Sequence, residues 1–256
     1  MVMISAHRSA AEESGFDEGS IESLNYSIGL PVEYVEFDVQ RFADGIYFLA
    51  HDDVVDLGDG PRPVGGVMST AAIEAGFNFV RLEECLEVLS GNKKAHVDFK
   101  FSSPISVAGG DSWEVEAAEL ILSAMPPGDV IFTTLEDVSV ARLRNHFSVT
   151  HPNLLVGLSL GRDLEGKGLF EVLRIRASEF FPARRIARCR ANLVVCERRL
   201  ARLAVAGWAR KRDLSLLVWT VDDADELDYW LTHERAWLVT TNFPTAALRI
   251  RDAQSK

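Results

Sequence analysis

Short apolar runs rich in β-formers recur along the chain, and the segments between them repeat their apolar residues at helical spacing. The runs are MISA (3–6), YVEFDV (34–39), HVDFKF (96–101), VIFTT (130–134), LLVGLSL (154–160), NLVVC (192–196), LSLLVWT (214–220) and WLVTT (237–241). Among the intervening segments, SIESLNYSIGL, RLEECLEVL, SWEVEAAELILSAM, LEDVSVARLRNHF, ERRLARLAVAGWARKR and DADELDYWL place apolar side chains on one helical face. Strand alternating with helix predicts parallel strands joined by helical crossovers. Eight repeats, with runs mostly free of charge, predict an α/β fold of the closed (β/α)8 (TIM) barrel type, one domain over 1–256. Neither G-x-G-x-x-G nor G-x-x-x-x-G-K-[ST] occurs, which argues against a nucleotide-binding open sheet.

Two stretches interrupt the pattern. HDDVVDLGDGPRPVGGVM (51–68) is rich in Gly, Pro and Asp and reads as a loop excursion or lid near the site, spanning about 52–80. From 161 to 182, LEGKGLFEVLRIRASEFF mixes helix signals with glycines, and its boundaries stay unassigned. No interdomain linker and no solenoid period is found.

Composition narrows the partners. Hydrophobic residues at 47% and charged residues at 25% of 256 describe an ordinary globular protein with a large core. A net charge of -11 opposes nucleic-acid binding, which depends on Lys and Arg at phosphates. The exception is 174–212, dense in arginine, read as solvated helix faces with a docking patch for an anionic headgroup or partner as the alternative. Cys85, Cys189 and Cys196 lack zinc or disulfide spacing and read as buried small hydrophobes. Without a signal-peptide pattern or a transmembrane run, the expected setting is cytoplasmic.

In a parallel barrel, chemistry gathers at the C-terminal ends of the strands. His7 follows the first run, Glu36 and Asp38 lie in the second, His51 follows the short extended run IYFLA, Asp98 and Lys100 lie in the third, and Trp219 ends the seventh. Residues i and i+2 of a strand share a face, so Glu36 projects with Asp38 and Asp98 with Lys100. Three converging carboxylates repel one another unless a cation neutralises them. A hard divalent ion, Mg²⁺ or Ca²⁺, suits oxygen ligands, and Zn²⁺ suits them less. Each residue alone has an ordinary structural reading, but charge inside several strands without a partner or ion is rare.

The motifs His7-Arg8-Ser9, Glu18-Gly19-Ser20, Glu36-Phe37-Asp38-Val39, Asp44-Gly45, His51-Asp52, Asp98-Phe99-Lys100, Trp219-Thr220-Val221-Asp222 and Thr241-Asn242-Phe243-Pro244 stand in this order. The chain therefore resembles the glycerophosphodiester phosphodiesterase family, whose pattern runs His-Arg-Gly, Glu-Asn-Thr, Glu-x-Asp-Val, Asp-Gly, His-Asp, Glu-x-Lys, Trp-Thr-Val-Asn and Thr-Asp-x-Pro. The resemblance implies a metal-dependent phosphoric diester hydrolase acting on glycerophosphodiesters. It implies His7 and His51 as general base and acid, Glu36, Asp38 and Asp98 as metal ligands, and Arg8 and Lys100 as the phosphate grip. Glu18 and Trp219 would belong to the substrate pocket. Ser9 departs from the pattern's glycine, Asp98 from its glutamate, and Glu18-Gly19-Ser20 from its Glu-Asn-Thr. Asp-x-Lys also resembles the sphingomyelinase D and phospholipase D toxins, so a lysophospholipid substrate is one alternative. A barrel that binds phosphodiesters without turnover is another.

Overall fold

The computed structural model describes residues 1–58, 60–107, 109–232 and 235–253. In chain order its strands are β1 (Met3–Ala6), β2 (Tyr34–Arg41), β3 (Tyr47–Leu49), β4 (Val54–Asp56), β5 (Pro61–Pro63), β6 (Lys94–Phe99), β7 (Val130–Thr134), β8 (Leu155–Leu160), β9 (Leu193–Glu197), β10 (Ser215–Trp219) and β11 (Leu238–Thr241). Eight of them form a parallel ring in the order β1, β2, β6, β7, β8, β9, β10, β11. Pairing of Met3 with Leu238 on one side of β1, and of Ser5 with Tyr34 on the other, closes the barrel. All eight apolar runs became barrel strands. Several boundaries shift by one or two residues, and one shift touches the site: β6 ends at Phe99, so Lys100 lies just beyond the third barrel strand rather than within it.

Side-chain alternation sorts each strand between two environments. On β2, Val35, Phe37 and Val39 pack outward into the layer shared with the helices. Tyr34 instead joins Ile131, Leu193, Val195, Leu217 and Leu238 in a separate apolar cluster inside the barrel, at its floor. Helix Leu82–Leu89 shows how the outer layer is covered. Its Leu82, Cys85, Leu86 and Leu89 recur at i, i+3, i+4 and i+7, and all are buried. Cys85, Cys189 and Cys196 are buried and unpaired, as their spacing indicated.

The Gly- and Pro-rich excursion has a core of its own. Strand β3 pairs antiparallel with β2, β4 and β5 form a two-stranded ribbon, and Phe42, Phe48, Val55, Val64, Val67 and Ala72 pack together beneath them. Phe42 and Phe48 stack at 4.0 Å between ring centroids. Asp44 accepts bonds from the backbone N–H (3.0 Å) and hydroxyl (2.6 Å) of Ser69, so the Asp44-Gly45 motif ties this unit together. The excursion thus has its own apolar cluster beside the mouth. The stretch left unassigned in the sequence contains helix Leu169–Phe180, followed by helix Ala183–Cys189. No helix among the described residues is long and apolar enough to cross a membrane.

Candidate active site

At the end of β1 the chain turns at once, and three consecutive non-glycine residues take left-handed backbone: Arg8 (φ 45°), Ser9 (φ 55°) and Ala10 (φ 53°). Each such residue costs roughly 1–2 kcal/mol, so surrounding contacts must hold the turn. Arg8 N–H donates to Glu36 Oε2 at 2.6 Å, and Ser9 and Ala10 are buried. The left-handed φ at Ser9 explains why the resembling pattern carries glycine there. Here the Ser9 hydroxyl is buried with no hydrogen-bond partner among the described residues.

On the lumen side, Lys100 Nζ lies 2.7 Å from Asp98 Oδ2 and 3.0 Å from Asp38 Oδ1. Burial alone would lower the Lys100 pKa, but Asp98 and Asp38 outweigh it and raise it well above the ordinary value. Glu36 is fully enclosed, and burial, then the Asp38 charge, push its carboxyl well above the usual range. Arg8 Nε stands 3.5 Å from Asp38 Oδ2, and its Nη1 donates to Glu18 at 2.9 Å. Beneath these groups His96 bridges Ser5 and Thr133, each at 3.2 Å, and burial drives its pKa down to about 3. Thr133 in turn donates to Asp98 Oδ1 at 2.5 Å.

The expected convergence of three carboxylates takes a different form. Among the described residues no group of three His, Cys, Asp or Glu stands in cation-holding geometry. Lys100 bridges Asp38 and Asp98 instead. The donor chemistry nonetheless fits a hard cation: both Asp38 oxygens are buried and already face positive charge, from Lys100 and Arg8, and Glu36 resists ionising where it sits.

His7 is oriented by residues from the other end of the chain. Asp222 accepts from Asn242 Nδ2 at 3.0 Å and from the Asn242 backbone N–H at 2.8 Å. That fixes the Asn242 amide so that its Oδ1 accepts from His7 Nδ1 at 2.7 Å. The proton is then on Nδ1, and the free Nε2 faces Glu36 Oε2 at 4.0 Å. Burial lowers the His7 pKa, against the opposing pull of Asn242 and Asp38, so the ring favours its neutral form. His51 is half-exposed at the rim, with Nδ1 3.0 Å from Asp52.

His7, Arg8, Glu36, His51, Asp98, Lys100 and Trp219 all line one cavity of about 140 Å³ at the C-terminal ends of the strands. Asp38 reaches this group through Lys100 and Arg8. Glu18 does not line the cavity, and its contact is with the Arg8 guanidinium. A larger concavity of about 600 Å³, near the start of β10, contains Arg202, Arg210, Tyr229 and Arg235 but none of the histidines.

Residues 7–151, more than half of the chain, match the model of the glycerophosphoryl diester phosphodiesterase family. The chain belongs to this family. It is accordingly a phosphoric diester hydrolase, the class the motifs implied. The barrel is similar to solved structures from three bacteria. One is a glycerophosphodiester phosphodiesterase from Parabacteroides distasonis, 16% identical with TM-score 0.73, covering 100% of this chain and 98% of that one. Another is a glycerophosphodiester phosphodiesterase from Agrobacterium tumefaciens, 17% identical with TM-score 0.68, covering 97% and 100%. The third, a phosphodiesterase of Oleispira antarctica in complex with the product sn-glycerol-3-phosphate, is 15% identical with TM-score 0.70, covering 98% and 96%. No curated protein matches the chain.

Asp222 and Asn242 belong to the late motifs but carry no expected role there, and His96 and Thr133 belong to no motif. A signal for the first two was present. The family pattern has Asn where this chain has Asp222, and Asp where it has Asn242. The two departures are reciprocal, and the two residues bond to each other.

Proposed function

We propose that this enzyme hydrolyses glycerophosphodiesters to a glycerol phosphate and a free alcohol, with His7 and His51 as the proton-transfer pair. The observation that carries this reading is the single cavity holding both histidines together with Arg8, Lys100, Glu36 and Asp98. Its volume of about 140 Å³ is small against the roughly 300–1,000 Å³ of ordinary ligand clefts. It suits the phosphoryl group and its immediate substituent, with the leaving alcohol outside against the rim.

His7 has the right state for a base: neutral by burial, with Nδ1 committed to Asn242 and Nε2 free. It takes the proton of the substrate hydroxyl next to the phosphate as that oxygen attacks phosphorus. Because this nucleophile is already tethered to the substrate, little entropy is lost in bringing it to phosphorus. His51, at the half-exposed rim, gives its proton to the departing alcohol oxygen. The product of this step is a cyclic phosphodiester, which water opens with the two histidines in reversed roles. Arg8 and Lys100 hold the phosphoryl oxygens as negative charge builds on them. A divalent cation, Mg²⁺ or Ca²⁺, held by Glu36, Asp38 and Asp98 would add positive charge at the same oxygens.

The test is ³¹P NMR of products from a panel of glycerophosphodiesters and their analogues lacking the neighbouring hydroxyl. Release of a glycerol phosphate from the former and no turnover of the latter is expected. Cleavage of the deoxy analogue at the normal rate, with solvent ¹⁸O entering phosphate in the first step, would refute the tethered nucleophile. Binding of the diesters without release of alcohol would refute the hydrolase reading.

A further inference from the structure

Helix Leu169–Phe180 is amphipathic the wrong way round for a globular protein. Glu179 is its only buried residue. The side turned toward the barrel carries Val172, Ile175 and Glu179, whereas Phe170, Leu173, Ala177 and Phe180, at i, i+3, i+7 and i+10, face solvent. Phe170 is 83% exposed, Leu173 60% and, just past the helix end, Phe181 79%. Scattered exposed apolar residues are ordinary, but a continuous stripe with two or three phenylalanines marks an interaction surface.

The stripe stands at the mouth. The helix lies in the connection that leaves the C-terminal end of β8, and Glu179 accepts the backbone N–H groups of Gly161 and Arg162, each at 2.9 Å, immediately beyond that strand. Ser159 and Leu135, next to this anchor, line the catalytic cavity. Ile105, 90% exposed in the connection after β6, belongs to the same end of the barrel.

The local charge identifies what could cover this face. Over 168–190 the chain has six arginines (174, 176, 184, 185, 188, 190) against two glutamates (171, 179), within a protein of net charge -11. Arg176 and Arg185 are paired with Glu179 and Asp137, while Arg174 and Arg184 are exposed and have no carboxylate partner among the described residues. Apolar side chains flanked by unpaired arginines match a surface of acyl chains beneath anionic headgroups. A second copy of the chain would set Arg174 and Arg184 against their own equivalents, like charge against like.

We propose that the Leu169–Phe181 face docks this enzyme on an anionic lipid surface with the barrel mouth toward the bilayer. That a lipid-borne phosphodiester is then the substrate rests on the proposed hydrolase function, but docking itself is readable without turnover.

The experiment is co-sedimentation of the whole chain with vesicles of phosphatidylcholine alone or mixed with phosphatidylglycerol. Wild type should pellet with the mixed vesicles, and added salt should weaken that binding. Phe170→Asp combined with Phe181→Asp should weaken it by at least ~10-fold. Arg174→Glu and Arg184→Glu should each weaken it about fivefold or more. All four positions are on the surface, so thermal melts and turnover of a water-soluble glycerophosphodiester should match wild type. Loss of that soluble activity in wild type would count against the hydrolase reading and leave the docking result standing. No binding to mixed vesicles, or binding that the variants leave unchanged, would overturn the proposal. So would a wild-type dimer in sedimentation velocity that Phe170→Asp dissociates, since the face would then belong to a second copy.

Discussion

Tyr34 and Asp38 stand on the same face of the same strand, yet they meet opposite surroundings. Tyr34 closes the floor of the lumen with Leu193, Leu217 and Leu238, all but sealed from water. Asp38, four residues on, is just as buried, but its neighbours are Lys100, Arg8 and Glu36. The floor gains stability by removing apolar surface from water. The mouth gives stability up, because it crowds buried carboxylates together and keeps a left-handed turn without glycine. Position along one strand thus separates what folds the barrel from what the barrel is for.

The sharpest way to break this contrast is to remove the cation the mouth is proposed to hold. A chelator should abolish turnover, and Mg²⁺ or Ca²⁺ should restore it and raise Tm in scanning calorimetry, since Glu36 and Asp38 repel each other without it. Full turnover in excess chelator, with metal content negligible, would remove the ion from the account. Next in size, His7→Ala and His51→Ala should each lower kcat by at least ~10²-fold. The melting curve of His51→Ala should stay at wild type, because that side chain is half-exposed. Wild-type kcat in either variant would make that histidine a bystander.

The floor should respond in the opposite sense. Leu217→Ala is expected to cost ~2–5 kcal/mol in urea unfolding while kcat at a temperature where the variant is folded changes little. A large kcat loss there would mean the two ends are coupled. Tyr34 offers a milder probe of the same region. Burial, with help from Asp129 and Glu33, raises its pKa to about 12, above the unfolded value near 10. The phenol's contribution is therefore intact below pH ~10 and is lost as pH rises toward the folded pKa. Wild-type Tm should fall more steeply than that of Tyr34→Phe from pH ~10 to ~12, and parallel curves would refute this. The smallest effect expected is a gain: Ser9→Gly should stabilise by ~1 kcal/mol in denaturant midpoints, relieving the left-handed backbone and removing an unpartnered hydroxyl. Destabilisation would show that the hydroxyl is satisfied.

The barrel was legible because its strands and most of its helices have a one-sided need to be covered, and that need is written as periodicity. Helix Leu169–Phe180 escaped assignment because glycines precede it and its apolar residues fall on both sides, Val172 and Ile175 toward the barrel and Phe170, Leu173 and Phe180 toward solvent, so no single face marks its bounds. Glu36, Asp38 and Asp98 stand out because charge inside strands is conspicuous, and the two histidines because each follows an extended run at the end where chemistry gathers. What could not be read was who touches whom. The i, i+2 spacing puts Lys100 on one face with Asp98, but nothing in it tells that Lys100 also reaches Asp38 on the neighbouring strand. Asn242 bonds to a histidine 235 positions away, a proximity that only closure of the ring creates.

The bond between Asp222 and Asn242 also has a bearing on descent. Relative to the family pattern both positions have changed, and each has taken the other's residue. A chain with only the first change would hold two carboxylates where one amide now orients the other group, and their repulsion would loosen the grip on His7. A chain with only the second would hold two amides and no anion behind the imidazole. Either single step is worse than both ends of the path, so the pair is expected to vary as one unit, with a double-mutant cycle showing strong non-additivity. The two late motifs, twenty positions apart at these residues, then act as one unit behind His7.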